Sequence, residues 1–159
     1  GAPPAATGMG SVGHPELCTR PCMFIASGMC ANGGSCAYCH LPHFTRPMYL
    51  NRRARERLRT LPRALVQKMA MPIVRRKALN VDSGATTELH LQRLASAWAA
   101  RRYPDAPQAD ADLAPLAEKL SSMSLRSLLV VLQYTALHGD DTGKRAVCDL
   151  SEHLLLAVA

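Results

Sequence analysis

Cys22, Cys30, Cys36 and His40 are separated by seven, five and three residues in the stretch CMFIASGMCANGGSCAYCH. Three thiolates and an imidazole make a complete tetrahedral ligand set for zinc, with no position left open for water or substrate. A closed site of this kind is structural: the ion holds a fold together and performs no chemistry. Nineteen residues with two glycine turns cannot bury enough apolar surface to fold unaided, so metal binding would itself supply the folding free energy.

Two further cysteines leave the ligand set open. Cys18 and Cys39 form C-x3-C and C-x2-C pairs, so a four-cysteine site from Cys18, Cys22, Cys36 and Cys39 competes with the first set. His14 and His43 flank the stretch, and either could replace His40 as the fourth ligand. Five cysteines within 22 residues argue against ordinary core thiols.

The residues between the ligands sharpen the choice. Gly28 lies two before the second cysteine, Gly33 three before the third, and Tyr38 two before the histidine. With that pattern the stretch resembles a CCCH-type zinc finger, the family that includes the tristetraprolin-like RNA-binding proteins. The runs GSVGHPELCTRPCMF, from Gly10 to Phe24, and NGGSCAYCHL, from Asn32 to Leu41, are similar to a single-finger variant common in alveolate protists, dinoflagellates especially. That variant often carries another cysteine two residues after the histidine, where this chain has Pro42 followed by His43. The likeness spans about residues 10–44. It favours Cys22, Cys30, Cys36 and His40 as ligands over the four-cysteine set. It also implies binding of single-stranded RNA by stacking bases on aromatics near the ligands, here Phe24 and Tyr38. One departure counts the other way: the inter-ligand segments MFIASGM, ANGGS and AYC carry no charge, and Arg20 is the nearest basic residue.

Charge elsewhere is unevenly placed. The net +7 is made of a neutral segment to residue 45, a block over 46–79 with eleven basic residues and one acidic, and an acidic remainder. Such a block implies an anionic partner: RNA phosphates, or an acidic protein or membrane surface. Within it, Leu50, Ala54, Leu58 and Leu61 trace a narrow apolar helical stripe, with Arg52, Arg53, Arg55, Arg57 and Arg59 on the other faces. Four of the seven aromatics, Phe24, Tyr38, Phe44 and Tyr49, fall in or beside the finger, which leans toward nucleic acid. Pro62 suits the first turn of a second helix, and Pro72 is expected to close it.

The elements that must carry this module are helical. Aliphatic residues recur at helical spacing over about 86–103, 111–121, 125–138 and 142–158, and no stretch alternates as a strand would. Apolar residues are 48% of the chain and aromatics only 4%, so the core must be aliphatic. The expected fold is mostly α: a tail over 1–13, flexible or held by a partner; a small zinc-stabilised CCCH module over 14–45; a basic helical segment over 46–79; and an all-α helical bundle over 80–159. The longest apolar runs, LLVVL and LLLAVA, fall far short of the ~20 residues of a membrane span.

An enzyme is not expected. Asp110, Asp112, Asp140 and Asp141 sit where helices start and read as caps. Cys148 reads as a buried inert thiol, and His90, His138 and His153 as isolated surface or helix-end histidines. Thiols used as zinc ligands suit a reducing compartment: nucleus, cytoplasm, or an organelle matrix or stroma. The start at Gly1 reads as processed, which leaves room for a removed transit peptide. Two functions follow. One is an RNA- or polyanion-binding zinc protein that uses the finger and the arginine helix. The other is a structural accessory subunit of a large assembly, with zinc stiffening an anchoring module and protein partners around it.

Overall fold

A few side chains decide where each helix begins and ends. The computed structural model describes residues 8–43, 48–99 and 112–159. The first seven residues, Phe44, Arg46, Asp110 and the PDAPQAD turn lie outside the described residues.

Helix α1 (Arg52–Thr60) starts where the Asn51 side-chain oxygen accepts a hydrogen bond from the Ala54 amide at 2.9 Å. That cap satisfies one of the first-turn amides that have no partner within the helix. The apolar stripe is as narrow as expected: Leu50, Ala54 and Leu58 are buried, and Leu61 packs beside the core. All five arginines of α1 are exposed.

Helix α2 (Arg63–Val81) corrects the expected stop at Pro72, because it runs nine residues past that proline. Proline removes the hydrogen bond its own amide would have given the Lys68 carbonyl. Lys68 and Pro72 are both exposed, so water can take that carbonyl. Ile73, Val74 and Ala78 are buried beyond it and hold the second half in place. Tertiary burial outweighs the local penalty.

Helices α3 (Ala85–Ala99), α4 (Ala114–Ser121), α5 (Leu125–Tyr134) and α6 (Asp141–Val158) complete a fold with no strand among the described residues. The broadest interface joins α3 to α6, and α2 touches α3, α4, α5 and α6. The shared core is aliphatic, with Trp98 its one aromatic among the described residues. Because α2 belongs to that core, the bundle does not begin at residue 80. The basic segment is split, with α2 inside the bundle and the arginines of α1 on its surface.

Side-chain caps close the starts of α5 and α6, the second of them at the predicted Asp140. Ser124 Oγ accepts from the Ser127 amide at 3.2 Å, and the Asp140 carboxylate accepts from the Gly143 amide at 3.0 Å. At α4 the N-cap position is Leu113, and Asp112 just before it accepts from the Ala114 amide at 3.1 Å. Helix α5 ends at Tyr134 rather than His138, because the chain turns to drop Leu137 into the core. Asp140 does more than cap. Its carboxylate also pairs with the Arg63 guanidinium, and both side chains are more than nine-tenths buried. One member of the basic block is therefore an internal ion pair, tying the start of α2 to the start of α6.

The cysteine-rich module is docked onto this bundle through residues 16–18. Leu17 is buried and belongs to the same core as the helices. The Leu125 amide, at the open N-terminus of α5, donates to Glu16 Oε2 at 2.6 Å, and Lys77 Nζ donates to Glu16 Oε1 at 3.3 Å. The Arg126 amide donates to the Glu16 carbonyl at 2.9 Å, and its guanidinium to the Leu17 carbonyl at 3.2 Å. A carboxylate at a helix N-terminus satisfies free amides and meets the positive end of the helix dipole.

Candidate metal centre

Cys22, Cys30, Cys36 and His40 converge, with their ligand atoms all within 4.8 Å of one another. Cys22 Sγ and Cys36 Sγ are 3.9 Å apart. Zinc–sulfur bonds of about 2.3 Å in a tetrahedron require a sulfur–sulfur edge of about 3.8 Å. A disulfide would need about 2.05 Å, and every cysteine is free. His40 Nε2 is buried with no hydrogen-bond partner among the described residues, a lone pair that a metal ion would satisfy. The donor set and its spacing thus fit a single zinc ion.

Local backbone builds this geometry. Gly28 (φ +69°) and Gly33 (φ +48°) turn the chain in the left-handed region that favours glycine, so each cysteine returns toward the same point. The Tyr38 amide donates to Cys36 Sγ at 3.4 Å and orients that thiol. A hydrogen bond from the Asn32 backbone brings the Cys30 thiol down to about 7, against the opposing effect of burial. That thiol ionises readily.

The remaining four candidates form a group of their own. The ligand atoms of His14, Cys18, Cys39 and His43 also lie within 4.8 Å of one another. Cys18 Sγ is 3.5 Å from His14 Nδ1 and 3.8 Å from His43 Nε2, and Cys39 Sγ is 3.4 Å from His14 Nδ1. Burial, and next the neighbouring Cys39 sulfur, push the Cys18 thiol up to about 12. The four-cysteine grouping of Cys18, Cys22, Cys36 and Cys39 is therefore not the one that forms. Nor do His14 or His43 take the place of His40. The reason is geometric: Cys39 and His40 are neighbours on extended chain, where successive side chains point to opposite sides. One goes to each group.

Main-chain pairing fixes that arrangement. Pro21 and Cys39 form a parallel bridge, in which the Cys22 amide donates to the Cys39 carbonyl at 2.8 Å and the Cys39 amide to the Arg20 carbonyl at 2.9 Å. Residues 8–13, expected as part of a flexible or partner-held tail, are hydrogen-bonded into the same unit. The Gly10 amide donates to the Cys36 carbonyl at 3.1 Å, and the His40 amide donates to Ser11 Oγ at 2.9 Å. A β-carbon on Gly10 would lie 2.4 Å from the Tyr38 carbonyl carbon, so only glycine permits this approach.

Comparison with family models, curated proteins and solved structures finds no match to this chain. The surface around the metal groups must be read from its own chemistry. Phe24 and Tyr38 are both more than half exposed, as are Met23, Met29 and Tyr49. The Arg20 guanidinium lies 5.3 Å from the centre of the Tyr49 ring and links the module to the approach to α1. On α1, Arg59 pairs with Glu56 and donates to the Tyr134 carbonyl, each at 3.3 Å. Arg52, Arg53, Arg55 and Arg57 have no ion-pair partner among the described residues. The later basic residues are more engaged: Arg75 pairs with Glu88 at 2.7 Å, and Lys77 with Glu16. Among the described residues, α1 carries four exposed arginines without an ion pair within six positions.

Some groupings escaped the sequence reading. The paired H-x3-C and C-x3-H spacings, His14 to Cys18 and Cys39 to His43, were the available signal for the second cluster. His153 and His90 are not isolated. Their rings stack 4.9 Å apart, and His153 Nε2 lies 2.8 Å from Thr87 Oγ1 and 3.3 Å from the Asp82 carboxylate. Hydrogen bonds from Thr87 and then His153 hold the Asp82 carboxyl below the usual carboxylate range. Thr87 itself is buried, and the network joins the end of α2 to α3 and α6. Cys148 is exposed rather than buried, because the inward face of α6 runs through Ala146, Val147 and Leu150.

Proposed function

We propose that Cys22, Cys30, Cys36 and His40 hold a structural zinc ion as a CCCH-type finger. In this reading the finger and the adjacent helix α1 together bind single-stranded RNA. The observation that carries it is the pairing of two surfaces: exposed aromatics, Phe24 and Tyr38, beside the metal group, and four arginines of α1 with no ion-pair partner among the described residues. Every base has a face that stacks on an aromatic ring, and guanidinium groups supply attraction to phosphate without reading sequence. The uncharged finger loops assign the phosphate contacts to α1 and leave stacking to the finger.

Full-length protein binding to a single-stranded RNA across a salt series tests this. Replacing Arg52, Arg53, Arg55 or Arg57 by Gln is expected to weaken binding at every sequence and to lower the slope of log affinity against log salt by about 0.7 each. Phe24→Ala and Tyr38→Ala are expected to remove stacking of about 1–3 kcal/mol per base, with the slope nearly unchanged. If the wild type binds no tighter than a peptide of the α1 sequence, and the aromatic variants match it, the RNA reading is wrong.

A second reading has its own support. Met23, Phe24 and Met29 make an exposed apolar surface on a finger without charge in its loops. That surface suits a protein partner, with the chain as an accessory subunit anchored through its zinc module. Failure of the RNA test with retained zinc would leave this reading standing.

A further inference from the structure

We propose that His14, Cys18, Cys39 and His43 hold a second structural zinc ion, which closes the two ends of the metal module and fastens it to the helical bundle. The proposal is independent of RNA binding and of whether the first group is loaded.

Geometry carries it. Zinc bonds of about 2.3 Å to sulfur and about 2.05 Å to nitrogen set a tetrahedral sulfur–nitrogen edge of about 3.6 Å. Three of the four such separations in this group are 3.4, 3.5 and 3.8 Å. The two imidazoles meet at 85° with centroids 4.7 Å apart, an edge-on approach that lets both rings direct a nitrogen to one point. Two thiols and two imidazoles exhaust the four positions of a closed site. Ordinary packing gives no reason for four metal-capable side chains from opposite ends of the module to meet around buried sulfurs. A thiol is a weak donor and a poor partner for a second thiol, whereas a divalent ion satisfies all four groups at once.

Position gives the ion its role. The ligands come in the chain order His14, Cys18, then the enclosed Cys22, Cys30 and Cys36, then Cys39, His40 and His43. The second group thus spans the finger from outside, and Cys39 alternates with His40 between the two ions. Cys18 directly follows Glu16 and Leu17, the residues that reach α5, Lys77 and the common core. An ion at Cys18 therefore pins the anchor to the finger, while the first ion only shapes the finger's loops.

Zinc content of the purified full-length chain, by elemental analysis and native mass spectrometry, tests the assignment. The wild type is expected to hold two ions, with one retained by Cys18→Ser and one by Cys30→Ser. A wild type with one ion that Cys30→Ser abolishes, or a Cys18→Ser chain that keeps two, overturns the proposal. A single ion that Cys18→Ser abolishes and Cys30→Ser retains would uphold it and refute the first site. Cobalt titration of the wild type avoids any folding defect of the variants. Thiolate-to-cobalt absorbance should grow to two equivalents, reflecting five bound thiolates, and saturation at one equivalent with the absorbance of three thiolates would overturn the second site.

Discussion

The metal module and the helical bundle solve the same problem with different materials. In the bundle, leucines and valines with Trp98 are withdrawn from water, and the backbone satisfies itself within helices. In the module, what is buried is mostly Cys18, Cys22, Cys36, Cys39, His40 and Ser11, while Met9, Met23, Phe24, Met29 and Tyr38 face outward. Leu17, the only large aliphatic residue buried there among the described residues, belongs to the bundle's core. Where apolar burial is missing, coordination has to replace it, and the apolar residues left over are available for other work.

Removing metal breaks the comparison most sharply. A strong chelator should withdraw binding free energy of about 10–16 kcal/mol per structural ion and unfold residues 8–43. Helical circular dichroism should persist with a cooperative melt, while hydrogen exchange at Cys22, Cys39 and His40 becomes unprotected. Loss of the helical signal would show that the bundle depends on the module.

The next effect lies within the bundle. Arg63→Ala leaves Asp140 buried without its cation, which should cost about 3–5 kcal/mol in a denaturant midpoint and leave zinc content unchanged. Arg57→Ala, an exposed neighbour in the same basic block, should leave that midpoint nearly where it was. Equal effects would deny Arg63 its special place. Smallest is Asn51→Ala, which removes the α1 cap and should cost about 1 kcal/mol by the same measurement. A loss several times larger would mean that α1 is coupled to the core more tightly than its narrow stripe suggests.

Much of this was legible in the chain. The helical class, the cap at Asp140, and the grouping of Cys22, Cys30, Cys36 and His40 all rest on local spacing, and local spacing is what a sequence displays. Pro72 misled because its cost is local while the burial of Val74 and Ala78 that outweighs it is not. Arg63 was only one of the eleven basic residues of the block, since its partner lies 77 residues away. Cys18 and Cys39 stood as alternate ligands because of their nearness to Cys22 and Cys36, but Cys39 and His40, though adjacent, send their side chains to different groups. The direction in which a side chain leaves the backbone is not written in ligand spacing.

That adjacency also governs which changes of length the chain can absorb. The residues from Met23 to Met29 are mostly exposed and connect two members of one group, so an insertion there merely enlarges a loop whose ends stay fixed. Between Cys39 and His40 there is no spacer. One added residue would turn His40 to the face that Cys39 now uses and shift every later side chain with it. The module should drift freely in size around its outer turns and not at all at this single peptide bond.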